Sequence, residues 1–351
     1  MRPADASLRN ILASAVLAPS ADNRHTLRFR VLADQVQLLS TDQPTWKDLP
    51  HRRYLALLSY GAAIENAALA SGRFGLVLEV VLMPDPLRPE VIANLQWTTT
   101  TALPDPLADA IESRHTNRRF YQRAPAPPQQ LAALTQAVAG VPDAGLLWLN
   151  QPPARSRALR LIRVAETERF RQPALHAELF GAMRFDNGWR DGCDEGLPLG
   201  ALEVEPPLRG PFAQLRRWPV MRALHRLGAH QMLGVRAGYL PCALAPHLGL
   251  LMMRGLPDTL CNLQAGRAFQ RLWLAATGFG LALQPMAAAT TLVRQRPGDG
   301  WVSAAVHAQL LQGLAALAPA GEDEARMLFR MGRAPAPSVV AKRPPLDQLL
   351  V

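Results

Sequence analysis

Arg114-His115-Thr116-Asn117-Arg118-Arg119-Phe120-Tyr121 gathers cations around a hydroxyl in a way that could hold an anion. Guanidinium groups offer planar, paired donors that a phosphate accepts two at a time. Arg114 and Arg118 can therefore fork onto one phosphate while the Thr116 hydroxyl and backbone N–H groups fill its remaining oxygens. The same residue types also fit a solvated cationic face, and alone they leave both readings open. A second stretch, Ala18-Pro19-Ser20-Ala21-Asp22-Asn23, sets Ser, Asp and Asn in a small polar loop. Such a loop can hydrogen-bond a ligand or simply turn the chain. Cys193, Cys242 and Cys261 are widely separated, without a CxxC pair or a nearby His spacing. Free thiols in a reducing compartment and no metal site are expected.

The elements that must position these residues are legible around them. A short helical run, Leu107 to Ser113, leads into the arginine stretch and the proline-rich turn Pro125 to Pro128 follows it, so the cations are expected at a helix-to-loop exit facing solvent or a ligand. Leu8, Ile11, Leu12, Ala15 and Val16 fall at helical spacing and predict an amphipathic helix from Ala6 to Leu17, ahead of the Ser20 loop. Leu27 to Leu39 alternates around Ala33-Asp34-Gln35 and predicts a hairpin. Tyr54 to Gly72 reads as a long helix and Gly75 to Leu82 as a buried strand. The unit recurs: setting Gly61 against Gly266 aligns Leu69 with Leu274, Ala70 with Ala275, Phe74 with Phe279, Gly75 with Gly280 and Leu76 with Leu281, at one offset and without a gap. The chain thus reads as two copies of one fold. In the second copy Ala265 to Thr277 is a core helix, Trp273 on its apolar face, and Leu281 to Met286 is a short strand running out at Pro285. Phe185 to Pro219 is irregular and rich in Pro and Gly, which fits a lid over a site or a surface excursion. The proline-punctuated tail from Gly332 to Leu350 is expected to wrap the body.

Composition narrows the class. With 351 residues, 49% of them apolar, the chain can bury a sizeable core. No apolar run is long enough to span a bilayer, and Met1 to Asp5 has no signal-peptide character, so a cytoplasmic protein is expected. The formal charge of +10 comes from scattered arginines, with Lys47 and Lys342 the only lysines and aromatics at 6%. No basic helix or ribbon stands out, which argues against nucleic acid as a partner.

Taken together these residues resemble the flavin-dependent nitroreductase superfamily, specifically its double-repeat, dormancy-associated (Acg-like) branch. Arg114 to Arg118 is similar to that family's R-x-[ST]-x-R phosphate motif, and Ala18 to Asn23 to its A-P-S-x-x-N loop. Pro285-Met286-Ala287 resembles the backbone segment near flavin N5, and Arg343-Pro344-Pro345-Leu346-Asp347 the C-terminal R-[KR]-P-L-[ED] tail. The departure is Asn23-Arg24-His25-Thr26-Leu27-Arg28-Phe29, where the family has N-x-Q-P-W-R-F. The resemblance implies an α+β fold of two fused, degenerate repeats forming an internal pseudo-dimer, with halves at 1–106 and 107–351, a lid-like insertion at about 185–219, and a monomeric state. It implies bound FMN, with the phosphate on Arg114, Arg118 and Arg343, His115 and Thr116 of the same motif as further cofactor-binding residues, Ser20 and Asn23 at the ribityl chain and ring, and Pro285, Met286 and Ala287 at the redox edge. No catalytic side chain is implied, because flavin N5 carries the chemistry. The implied partners are NAD(P)H and a nitroaromatic or quinone-type acceptor reduced in ping-pong fashion. A protein that sequesters FMN or senses redox state beneath a closed lid, or a degenerate relative that binds no flavin, are the alternatives.

Overall fold

The computed structural model describes residues 2–318 and 323–351. Helix α1 (Asp5–Val16) buries the predicted stripe Leu8, Ile11, Leu12, Ala15 and Val16. Strands β1 (Leu27–Val31) and β2 (Val36–Ser40) form the expected antiparallel hairpin, with Leu27 opposite Ser40 and Val31 opposite Val36. Helix α2 (Pro50–Gly72) starts on a proline, which suits the first turn because its missing N–H would be unbonded there anyway. Strands β3 (Leu76–Leu82) and β4 (Val91–Thr99) complete a four-stranded antiparallel sheet ordered β1-β2-β4-β3. The buried strand expected at Gly75 to Leu82 is instead an edge strand: Val77 and Val81 are 46% and 55% exposed, because only one face of β3 meets the core.

Helix α3 (Pro128–Ala139) and strand β5 (Ala144–Trp148) open the second half. Between β5 and strand β8 (His247–Arg254) lies a mostly helical insertion. It comprises α4 (Pro152–Arg171), α5 (Pro173–Gly181), the parallel pair β6 (Met183–Arg184) and β7 (Leu197–Pro198), and helices α6 (Arg209–Leu215), α7 (Trp218–Leu224), α8 (Ala229–Gly234) and α9 (Leu240–Leu244). Then come α10 (Asp258–Gly278), β9 (Ala282–Pro285), α11 (Ala288–Leu292), α12 (Ala304–Ala315) and β10 (Asp323–Gly332). The second sheet is antiparallel and ordered β5-β8-β10-β9. Counted among its own strands in chain order, each sheet runs first, second, fourth, third, and in each the long helix falls between the second and third strands. The architecture is α+β, antiparallel sheets packed with helices.

The two long helices, α2 and α10, form the seam between the halves, and their contact is reciprocal. A Cβ on Gly61 would lie 2.0 Å from the Leu263 carbonyl oxygen, and one on Gly266 would lie 2.1 Å from that of Leu58. These residues are related by the offset seen in the sequence repeat. One turn on, Arg271 donates to Glu65 at 2.8 Å and Gln270 donates to Asn66 at 2.7 Å, and the same offset exchanges the two pairs. Gly75 and Gly280, also matched, both take positive φ, 65° and 67°, just after their helices. Only glycine adopts that conformation without steric penalty.

The segment 185–219 is less irregular than its composition suggested. It contains 3-10 turns at Phe185–Asn187, Leu199–Leu202 and Pro206–Leu208 besides α6, and it belongs to the larger insertion. A separate small core of Phe170, Leu179, Phe180, Met183, Leu197, Leu199 and Met221 anchors it. Trp189 rests on Phe212, with the Arg209 guanidinium 5.0 Å from its ring. The tail does wrap the body: Leu349 is buried in the first half's core, Leu350 bridges to Phe29 on β1, and Arg9 pairs with Asp347 at 2.7 Å.

Candidate functional site

A cavity of about 500 Å³ opens along the seam. The first half contributes Pro19 to Asp22 and the α2 residues Leu55, Leu58, Ser59 and Ala62. The second contributes Thr116, Arg118, one face of α10 (Gly266, Phe269, Trp273) and the end of β9 with its following turn (Gln284, Pro285, Ala287). The insertion closes it with an apolar wall that includes Phe170, Leu179, Leu197, Leu202, Phe212 and Leu233. Ser20, Thr116, Arg118, Pro285 and Ala287, far apart in the chain, therefore share one chamber. The Ser20 hydroxyl is buried in its wall with no partner.

Arg114 lies just behind this wall. It is 3% exposed, its guanidinium stacks 4.6 Å from the Trp273 ring, Nη2 donates to the Leu17 carbonyl at 3.2 Å, and Nε has no partner. The cations expected at a solvent-facing exit are thus drawn inward. Arg343 from the tail is its charged neighbour, donating to the Ala18 carbonyl at 3.2 Å and to Asn23 Oδ1 at 2.6 Å. Neither guanidinium pairs with a carboxylate among the described residues. Burial and then the Arg343 charge pull Arg114 down to about 9, and burial pulls Arg343 down to about 10. His115 is lowered by burial, then by Arg114 and Arg343. A buried excess of positive charge with open donor capacity calls for an anion, since uncompensated buried charge is costly.

The structure separates Arg114 from Arg118 rather than aiming both at one point. Arg118 faces the cavity, where Nη1 donates to the Ala201 carbonyl at 3.4 Å, and burial lowers it most strongly while Asp22 and Tyr121 oppose this. The reason is local: Thr116 bridges to Leu283 and Asn117 N–H donates to the Leu283 carbonyl, so the stretch is extended along β9 and two residues four apart are set about 13 Å from each other along the chain. Asn23 and Met286 do not line the chamber. Asn23 Nδ2 donates to the carbonyls of Cys193 and Asp194, and its Oδ1 accepts from Arg343 and His25, so it clasps the loop, the insertion and the tail together. Met286 is buried in the core beneath α11, and its N–H donates to the Leu328 carbonyl at 2.7 Å. Trp273 is both core and cavity wall.

Sequence reasoning missed a charged cluster at the junction of the seam and the insertion. Asp22, in the left-handed region at φ 53°, lines the cavity beside Arg169 of α4 and Glu178 of α5. Burial raises its carboxyl, the Arg169 charge opposes this, and Glu178 adds to it. Glu178 behaves in the opposite way. Burial would raise it, but hydrogen bonds and charges from His51 (3.1 Å) and Arg52 (2.9 Å) outweigh that and hold it down to about 2. Asp22 sat inside the loop already singled out, whereas Arg169 and Glu178 stand on helices without a motif.

No family model matches the chain. It is 27% identical over 301 residues to a provisionally named NAD(P)H nitroreductase of Mycobacterium tuberculosis, covering 83% of this chain and 78% of that protein. It is 26% identical over 343 residues to an uncharacterized protein of the same species, covering 94% of this chain but spanning only 46% of that protein's length. Among solved structures, a Bacteroides fragilis nitroreductase with bound FMN overlaps at 15% identity, covering 66% of this chain and 89% of that one, with a TM-score of 0.32. The FMN-dependent nitroreductase NfnB of Mycobacterium smegmatis, in complex with NADPH, overlaps at 17% identity, covering 65% and 87%, with a TM-score of 0.35. In sequence the chain is similar to these nitroreductases, and it carries the motifs at Ser20, Arg114 and Arg343 in order.

Proposed function

We propose that the chain binds FMN non-covalently and serves as an NAD(P)H-dependent oxidoreductase for nitroaromatic or quinone-type acceptors. The observation that carries this is the Arg114–Arg343 pair, two guanidiniums without a carboxylate, set beside a cavity on the α2/α10 seam. The residues present fit the group. Arg114 and Arg343 take the phosphate with His115 and Thr116 alongside, the unpartnered Ser20 hydroxyl meets the ribityl chain, and Pro285 and Ala287 edge the ring. Arg118 presents positive charge to the ring from within the cavity, and the apolar wall of the insertion excludes water and receives the acceptor. When bound, FMN supplies hydride transfer between nicotinamide and acceptor. Donor and acceptor use the same chamber in turn, which gives ping-pong kinetics. We read the two halves, divided near residue 106, as the fused equivalent of a two-fold dimer, on the reciprocal contacts of Gly61 and Gly266.

The test is the colour and reactivity of the purified protein: a flavin spectrum that bleaches with NAD(P)H and recovers with a quinone supports this reading, and a colourless protein that does not take up FMN overturns it. A second reading, an FMN-sequestering or redox-sensing protein, is favoured by one observation. The insertion is tied down at Cys193 and Asp194 beside the Asn23–Arg343 corner and has its own core, so the wall it gives the chamber is a fixed one. Bound flavin that resists NAD(P)H would select it.

A further inference from the structure

We propose that Asp22 is the proton donor to the acceptor in this cavity, delivering H⁺ to the carbonyl oxygen of a quinone as it is reduced. The inference rests on the function proposed above. Asp22 lines the chamber where the apolar wall meets the seam, and its carboxyl accepts no hydrogen bond and joins no ion pair among the described residues. A carboxyl in an apolar chamber with no protein partner is placed to meet a ligand.

The surroundings supply both the acid form and its reloading. Asp22 faces Arg169 from α4, Glu178 from α5, Arg118 from the arginine stretch and Arg24 from its own loop. Glu178 is held ionised by His51 and Arg52, and its negative charge disfavours a second one on Asp22. Two neighbouring carboxyls driven in opposite directions mark the acid of a pair. Behind Asp22 is a second, smaller recess of about 50 Å³, lined by Asp22, Arg24, Asp42, Arg52, Ser59 and Glu178. It shares Ala21, Asp22, Leu55, Ser59 and Glu178 with the main chamber, and the charged and hydroxyl groups among its lining residues suit water. Asp22 thus stands between the chamber that would take the acceptor and this recess.

The balance is simple. NAD(P)H supplies a hydride, two electrons and one proton, and becomes NAD(P)⁺; a quinone needs one further proton to become the hydroquinone. The Asp22 O–H bond breaks as the acceptor O–H bond forms, and the carboxylate is reprotonated by one proton from solvent, relayed by water in the recess.

Asp22→Asn is the informative variant, because asparagine tolerates the left-handed backbone and keeps the side chain's shape. Re-oxidation of the NAD(P)H-reduced protein by a benzoquinone, followed by stopped flow, should slow roughly 100-fold and lose its dependence on pH. Asp22→Glu should recover part of the rate. Independently of turnover, infrared spectra of the purified wild type at neutral pH should show a protonated-carboxyl band that is absent in Asp22→Asn. A flavin-bearing Asp22→Asn protein with the wild-type rate and pH profile, or a wild type lacking that band, overturns the donor assignment alone. A wild type that binds no flavin overturns the oxidoreductase reading and this assignment with it.

Discussion

At the scale of single residues, the site is defined by charge left uncompensated. Arg114 stacks on Trp273 with its Nε unpartnered, and its charged neighbour is another arginine. Arg114→Ala should weaken FMN binding by roughly 10- to 150-fold, the equivalent of about 1.5–3 kcal/mol for one charge-assisted contact. Flavin titration by fluorescence measures this, and an unchanged Kd would remove Arg114 from the phosphate site. The thermal stability of the flavin-free protein should not fall, because the variant relieves an uncompensated buried cation. Glu178 is the converse, a carboxylate the fold depends on. Its folded-state value of about 2, against 4.5 unperturbed, means it adds stability that is fully present above about pH 4.5 and lost as pH falls toward 2. Glu178→Gln should cost on the order of 2 kcal/mol at pH 7 by urea denaturation, and the gap between variant and wild type should close across that acid window.

At the scale of elements, the seam is the least forgiving part of the fold. Gly266→Ala would drive a methyl into the Leu58 carbonyl, and since that neighbour is backbone, α2 and α10 must move apart. A loss of about 3 kcal/mol is expected, while Gly278→Ala, where nothing lies within 4 Å, should change stability by less than about 1 kcal/mol. Comparing the two denaturation midpoints checks that packing rather than glycine itself is responsible. This seam was readable in the sequence because both helices retain small residues at matched positions, so one offset aligned Gly61 with Gly266 and Gly75 with Gly280. The hairpin and α1 were readable from periodicity alone. Strand β3 was read as buried because Leu-Val-Leu-Glu-Val-Val-Leu carries apolar residues on both faces, and nothing local says that one face meets solvent. The insertion was hardest to read. Helix α4 buries Glu166 and Glu168 beside its apolar residues, which blurs the pattern, and the cluster around Asp22 is assembled from residues remote in sequence. Arg114 and Arg118 share a motif, but the extended backbone between them sends their side chains to different places.

At the scale of the whole molecule, both halves contribute walls to a single chamber. The Ser20 loop comes from the first half, Arg118 and Trp273 from the second, and the insertion supplies a further wall. The protein should therefore need no second copy to complete its site. Light scattering with flavin quantitation is expected to show a monomer carrying one FMN per chain, and an obligate dimer with two flavins per chain would refute the fused-dimer interpretation.

The reciprocal glycine contacts also bear on how the protein reaches its folded state. The first sheet can begin from neighbours in sequence, as the β1–β2 hairpin does, but Gly61 meets Leu263 and Gly266 meets Leu58 across roughly 200 residues of chain. Closing so long a loop loses entropy before any packing rewards it, so the helices dock late, after the halves have collapsed. The chamber exists only once they have docked. On the function proposed above, flavin is accordingly taken up by a nearly finished protein, and it acts on the last barrier of folding rather than the first.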